Sequence, residues 1–273
     1  MTEQIQRLEQ QCFEMKLKAL EMAHGSSFGA HIGGGFSAME IMTALYEVAK
    51  IPSMKNEARD RIIMSKGHGV LAQYTALWKK GYITEEELDT FEKDGTQFHG
   101  HPHRNIEKGL EFSGGSLGLG LSYAVGVAKA CKMKGLNNTI YVILGDGEMD
   151  EGIVWESFMS IVHFHLDNIV IIVDRNGYQL DGPTDEIMGL NSIENKLTAF
   201  GFDVESLDGH SIETLLEVLP KKSGKSRAIV ANTVKAHGIS FLENNKMSHQ
   251  TVLTKKKYEQ AVAEIKEAYG YGE

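Results

Sequence analysis

The apolar positions fall into two alternating patterns. Over residues 3–24, Ile5, Leu8, Cys12, Met15, Ala19, Met22 and Ala23 recur at helical spacing and predict an amphipathic helix. Further helices are predicted over 37–48, 70–79, 121–131, 152–165, 191–200, 212–219 and 255–268. Ser37 stands as the N-cap of the second, with Glu40 three residues on completing a capping box. Thr84 followed by three glutamates caps another short helix. Between the helices lie short runs that are apolar on both faces: 61–64, 139–144 (TIYVIL), 168–173 (NIVIIV) and 227–233. Continuous apolar runs mark strands buried on both sides, as in parallel sheets. Two of them, joined by one helix, make a parallel βαβ unit with a right-handed crossover. The fold class is therefore α/β, a mostly parallel sheet with helices on both faces, read as one domain over 1–273.

Composition narrows the function. A formal net charge of −9 is unsuited to coating nucleic acid or an anionic membrane. Short basic groups occur at 132–134, 221–227 and 255–257; the last two flank or sit on predicted helix ends and read as solvated faces or matches to the macrodipole. No stretch approaches the roughly 20 apolar residues that cross a bilayer. Two distant cysteines, Cys12 and Cys131, suggest neither a disulfide framework nor a zinc site. A reducing, cytoplasmic location is expected by elimination.

Ligands of parallel sheets bind beyond the carboxyl ends of the strands. One such end carries Gly145-Asp146-Gly147 and the next carries Asp174-Arg175-Asn176. The glycines let the backbone turn and approach a phosphate closely. Asp146 and Asn176 offer hard oxygen ligands suited to Mg²⁺. A GDG turn by itself is equally a solvent-facing turn. Following a buried strand, with a strand-ending Asn about one βαβ unit later, it resembles the thiamine diphosphate motif. The intervening GDGEMDEGIVWE and VDRNGYQLDGPT are similar to transketolases, above all those split into two chains. The resemblance runs from about residue 10 to residue 250.

It implies a three-layer thiamine diphosphate-binding fold, the domain that holds the cofactor's diphosphate, with Mg²⁺ as the metal (Ca²⁺ or Mn²⁺ able to substitute). Asp146, Asn176 and the backbone carbonyl of Tyr178 match the metal ligands, and Gly147 would lie against the diphosphate. Glu151 matches a glutamate near the subunit contact that aligns the partner's glutamate with the cofactor; alone, it reads as an acid at a helix N-terminus. His31 (Ala-His-Ile-Gly-Gly) matches a substrate-facing histidine. His68 (Ser-Lys-Gly-His-Gly) matches one beside the diphosphate, and His101 (Gly-His-Pro) one near the thiazolium. His249 matches a further substrate and diphosphate histidine. Gly115 and Leu117, in Gly-Gly-Ser-Leu-Gly, match cofactor contacts. Imidazoles suit a sugar site because they exchange protons with hydroxyls near neutral pH. His24, His99, His103, His163, His165, His210 and His237 have no assigned role, and Asp181 is explained by turn chemistry alone. Three positions depart from the family pattern: Ala30, Leu119 and Gln250.

The implied activity is two-carbon ketol transfer from a ketose or its phosphate to an aldose. The family's pyrimidine-binding domain has no counterpart after Asn176. The resemblance therefore implies a partner, the C-terminal transketolase subunit, in an α2β2 assembly. Three alternatives stay open: another thiamine diphosphate enzyme, of the deoxyxylulose-phosphate synthase or 2-oxo acid dehydrogenase kind; a transketolase for unusual sugars; and a non-catalytic module of the same fold.

Overall fold

The computed structural model describes residues 2–271. In chain order the elements are α1 (Thr2–Gly25), α2 (Ile32–Phe36), α3 (Met39–Val48), β1 (Arg61–Met64), α4 (Val70–Lys79) and α5 (Glu85–Leu88). Next come α6 (Leu119–Met133), β2 (Ile140–Gly145), α7 (Gly152–His163), β3 (Ile169–Arg175), α8 (Thr184–Met188) and α9 (Ile193–Phe200). The chain closes with β4 (Asp203–Asp208), α10 (Ile212–Val218), β5 (Arg227–Asn232) and α11 (Lys255–Ala268). The strands form one sheet in the order β1-β2-β3-β5-β4, and every pairing is parallel.

Every residue of β2 is buried, as are the first six of β3. Successive side chains alternate between two apolar layers. Tyr141, Ile143, Val170 and Ile172 pack with α1, α3, α4 and α10, whereas Val142, Leu144, Ile171 and Val173 pack with α6, α7 and α9. Helix α11 lies over α1, where Ala261 and Ile265 are buried. The sheet is thus the middle of three layers, as the continuous apolar runs require. Among the described residues, no helix is long and apolar enough to cross a membrane.

Two local expectations fail for stated reasons. Ser37 does not cap α3: the helix begins at Met39, with Ala38 at the N-cap and no side-chain cap bond. Ser37 Oγ instead donates to Asp174 Oδ2 at 2.6 Å, while Glu40 takes the Lys16 ammonium at 2.6 Å. A cap is worth about 1 kcal/mol, whereas a buried charge left unpaired costs several times that. Strand β4 is absent from the sequence-based expectations because its segment, DVESLD, is polar. It is an edge strand paired only with β5, and only Leu207 is buried. The capping box at Thr84 is present, with Glu87 as its second half.

Candidate functional site

The register of β2 on β3 sets Gly145 opposite Asp174, so both strands deliver their polar residues to one spot. Asp146, almost fully buried, accepts from Gly147 N (2.9 Å) through Oδ1 and from Gly177 N (2.8 Å) and Thr184 Oγ1 (3.3 Å) through Oδ2. Burial and the nearby Asp174 carboxylate push its pKa up to about 6. Asn176 Oδ1 accepts from Tyr178 N at 3.2 Å. Asp146 and Asn176 border a cavity of about 270 Å³ that also touches Gly177, Thr184 and Thr233.

Beneath them lies a buried ion pair that sequence spacing does not reveal. Lys66 and Asp174, 108 residues apart and both fully buried, pair directly. Asp174 also accepts from Ser37 Oγ and from Thr233 Oγ1. Burial alone would raise this carboxyl, but Lys66 and the hydroxyl donors hold it below the usual carboxylate range. The Asn176 amide nitrogen lies 3.4 Å from both Asp174 Oδ2 and Ser37 Oγ, which turns its amide oxygen away from them. Lys235 completes this side. Its ammonium donates to the carbonyls of Tyr178 (3.2 Å) and Gln179 (2.8 Å), and burial with the Lys66 charge pushes its pKa down to about 8.

A divalent cation suits this donor set. The buried Asp146 carboxylate carries no direct ion pair among the described residues, and the Tyr178 carbonyl already faces a cation, the Lys235 ammonium. Carboxylate, amide and carbonyl oxygens are hard ligands of the kind Mg²⁺ takes. Close backbone approach matters here as well. A Cβ on Gly147 would fall 2.7 Å from Gln179 Cγ.

Four histidines converge beside this floor. The His31 ring lies 4.9 Å from that of His101 and 5.3 Å from that of His249, while His68 and His249 are 5.3 Å apart (centroid distances). They come from four loops. An antiparallel bridge between Ala30 and Thr251 brings the first and last together, its two hydrogen bonds each 3.0 Å long. Gly34 admits His68, since a Cβ there would collide with the ring. Burial first, then mutual repulsion and Lys235, lowers His31 and His249 to about 4; His68 is held well below the usual value, and burial also lowers His101. All four are thus neutral near pH 7, able to donate from one nitrogen and accept at the other. His31 Nδ1 is buried without a hydrogen-bond partner.

Gly115 belongs to this group: an added Cβ would meet His101 at 3.8 Å, and its amide nitrogen lies against Gly67. Leu117 follows in the same turn, half-buried. Glu151 is exposed at the N-cap of α7, with no side-chain cap bond, beside Gly118. Of the departing positions, Leu119 starts α6 and is 42% exposed, while Gln250 donates to Phe28 O at 3.1 Å.

Two histidines to which the sequence assigns no role form a separate network. His210 and His237 stack at 3.7 Å beside buried Glu40. His210 Nε2 accepts from Val234 N, so its Nδ1 carries the proton and donates to Glu40 at 3.0 Å. Lys16 holds the other carboxylate oxygen. With both His210 nitrogens committed and a cation already present, this is a buried ion network and not a metal site. A cleft of about 570 Å³ opens at the amino ends of the strands, where the basic groups at 132–134 and 221–227 meet. Its Lys132 pairs with Asp167, and its Lys221 and Arg227 with Glu205.

Fold and register define a parallel α/β domain whose polar residues gather beyond the carboxyl ends of its central strands. The chain belongs to the transketolase family, its residues 14–273 matching the model described as the transketolase thiamine diphosphate binding domain. It is 37% identical to one subunit of the apulose-4-phosphate transketolase of Phocaeicola vulgatus, covering 97% of this chain and 95% of that protein. It is 42% identical to the 6-deoxy-6-sulfo-D-fructose transketolase subunit SqwG of a Clostridium species, over 86% and 88%. The crystal structure of transketolase from Campylobacter jejuni matches with a TM-score of 0.87 at 29% identity, covering 98% of this chain but 43% of that one. The chain therefore spans about two fifths of such a transketolase, and nearly all of each subunit-type relative.

Proposed function

We propose that this chain is the diphosphate-binding subunit of a two-chain, Mg²⁺-dependent transketolase, moving a two-carbon ketol unit from a ketose or ketose phosphate to an aldose. One observation carries this reading: buried Asp146 and Asn176, with the Tyr178 carbonyl, lie at the carboxyl end of the sheet beside four neutral histidines. Asp146, Asn176 and the Tyr178 carbonyl would hold the metal, with Gly147 against the diphosphate. His68, His101, Gly115, Leu117 and His249 would line the cofactor. The bound cofactor supplies the carbon nucleophile that the protein lacks.

The chain's own residues orient and move protons. His31, whose ring is only partly buried, would meet a substrate hydroxyl, and His68, His101 and His249 would exchange protons with neighbouring hydroxyls. The Lys66–Asp174 pair fixes the floor on which Asn176 stands. Lys235 neutralises phosphate charge. Exposed Glu151 would meet a pyrimidine-binding partner chain, with the two chains assembled as α2β2. A reducing, cytoplasmic setting is in keeping with two distant cysteines, both free and buried.

The names of the two subunit-type relatives favour an unusual sugar as substrate. The test is to purify this chain with its pyrimidine-binding counterpart and assay two-carbon transfer. The donors would include common ketose phosphates, apulose 4-phosphate and 6-deoxy-6-sulfo-D-fructose. Transfer that needs both chains, thiamine diphosphate and Mg²⁺ is the expected result. Full activity from this chain alone, or no transfer from any ketose, would refute the reading.

A further inference from the structure

We infer that Glu148 is a positioning residue, a clamp that locks three cofactor-bearing loops in register and so sets the affinity for thiamine diphosphate. The inference rests on the cofactor assignment made above. Glu148 lies two residues beyond Asp146, is 2% exposed, and points into the protein. Its Oε1 accepts from Ser65 Oγ (2.5 Å) and from Gly118 N (2.7 Å), and its Oε2 accepts from Gly145 N (3.0 Å). Each donor belongs to a different loop. Ser65 opens the loop carrying Lys66 and His68, Gly118 closes the glycine turn carrying Gly115 and Leu117, and Gly145 begins the turn carrying Asp146.

The loops also touch backbone to backbone, which leaves little slack. A Cβ on Gly67 would fall 2.8 Å from Gly115 N, and one on Gly120 would fall 2.6 Å from Ser65 Cα. Gly118 sits at φ 81°, a conformation that frees its N–H to face the carboxylate. Glu148 makes no ion pair among the described residues: the adjacent cation, Lys66, is spent on Asp174. Three neutral donors therefore hold a buried carboxylate, an arrangement that only an acceptor at both ends satisfies. Glutamine cannot replace it. Its amide nitrogen would face either the Gly145 N–H or the Gly118 N–H, donor against donor. A carboxylate needed only for local folding would have no reason to span three loops that converge on one ligand.

The experiment measures thiamine diphosphate affinity by titration calorimetry at saturating Mg²⁺, in the complex with the pyrimidine-binding chain and well below its unfolding temperature. Wild type, Glu148→Gln and Ser65→Ala are compared, together with the cofactor-free melting temperature of each. Glu148→Gln is expected to raise Kd about tenfold or more, the effect of losing a hydrogen bond to a charged group and leaving a buried donor unmet. Ser65→Ala removes one of the three links without adding a donor and should raise Kd about threefold or more; it decides the matter if Glu148→Gln does not fold. Kd within twofold of wild type in the folded variants, with only the melting temperature lowered, would overturn the clamp. A wild-type complex that binds thiamine diphosphate yet transfers no ketol unit would overturn the reaction class instead, since the affinity comparison reads the clamp without turnover.

Discussion

The two halves of the site are built on opposite principles. On the side of Asp146 and Asp174 the ionised groups are answered from within the chain: Asp174 by Lys66, Ser37 and Thr233, Asp146 by two backbone N–H groups and a hydroxyl. On the histidine side the groups are neutral, a buried ring nitrogen has no partner, and exposed apolar residues such as Phe28, Met247 and Val252 stand nearby in sequence. A satisfied network fixes geometry before the ligand arrives. An unsatisfied one waits for hydroxyls, and for a second surface to exclude water. The first half is satisfied within this chain, and on the proposed function the second is completed by a partner.

The largest effect is expected at Asp146. Asp146→Ala should abolish detectable Mg²⁺-dependent binding of thiamine diphosphate in calorimetry; unchanged affinity would remove Asp146 from the site. Next comes the histidine side. His31→Ala should lower two-carbon transfer by about 10²–10⁴-fold, the range for a positioned proton-transfer group, while the melting temperature of the cofactor-free chain stays nearly constant. A large stability loss with little kinetic effect would make His31 structural, and the contrast between halves would fail.

Lys66→Met tests the satisfied half in the other direction. It leaves Asp174 buried without its cation and should cost about 3–5 kcal/mol in urea unfolding of the cofactor-free chain. A loss under about 1 kcal/mol would mean that Asp174 has access to water or a proton. The mildest test is pH. Histidines whose folded pKa is depressed bind fewer protons than in the unfolded chain between about 4 and their ordinary 6.5. Stability should therefore be fully present above about pH 6.5 and decline as pH falls toward 4. Asp146, raised to about 6, pulls the opposite way between about 6 and 3.8. His31 and His249, joined by His68, outnumber it. A melting temperature that rises from pH 6.5 to pH 4.5 would show that the carboxylate dominates.

Much of this is legible in the chain itself, for physical reasons. Strands buried on both faces leave unbroken apolar runs, so β2 and β3 and their ligand-bearing ends stand out. Strand β4 is hidden because an edge strand need bury only part of itself, and DVESLD buries one leucine. The start of α3 shifts from its expected place because local cap chemistry at Ser37 loses to a charge 137 residues away. The four histidines are found through motif resemblance, since no spacing rule links loops so far apart. Lys66–Asp174 and Glu148–Ser65 escape for that reason too: pairs separated by 108 and 83 residues exist only once the sheet has formed.

The bridge between Ala30 and Thr251, with Gln250 reaching Phe28 O across 222 residues, also bears on the order of assembly. Closing so long a loop costs little more than closing one half its length, about 0.6 kcal/mol per doubling, yet it cannot happen until the last tenth of the chain exists. A ribosome-bound chain can already carry the β1–β3 ligand set while His31 still lacks His249. The four-histidine cluster is thus a late product of synthesis: a chain cut short before residue 249 would keep His31, His68 and His101 but lack both His249 and the bridge that seats it beside them.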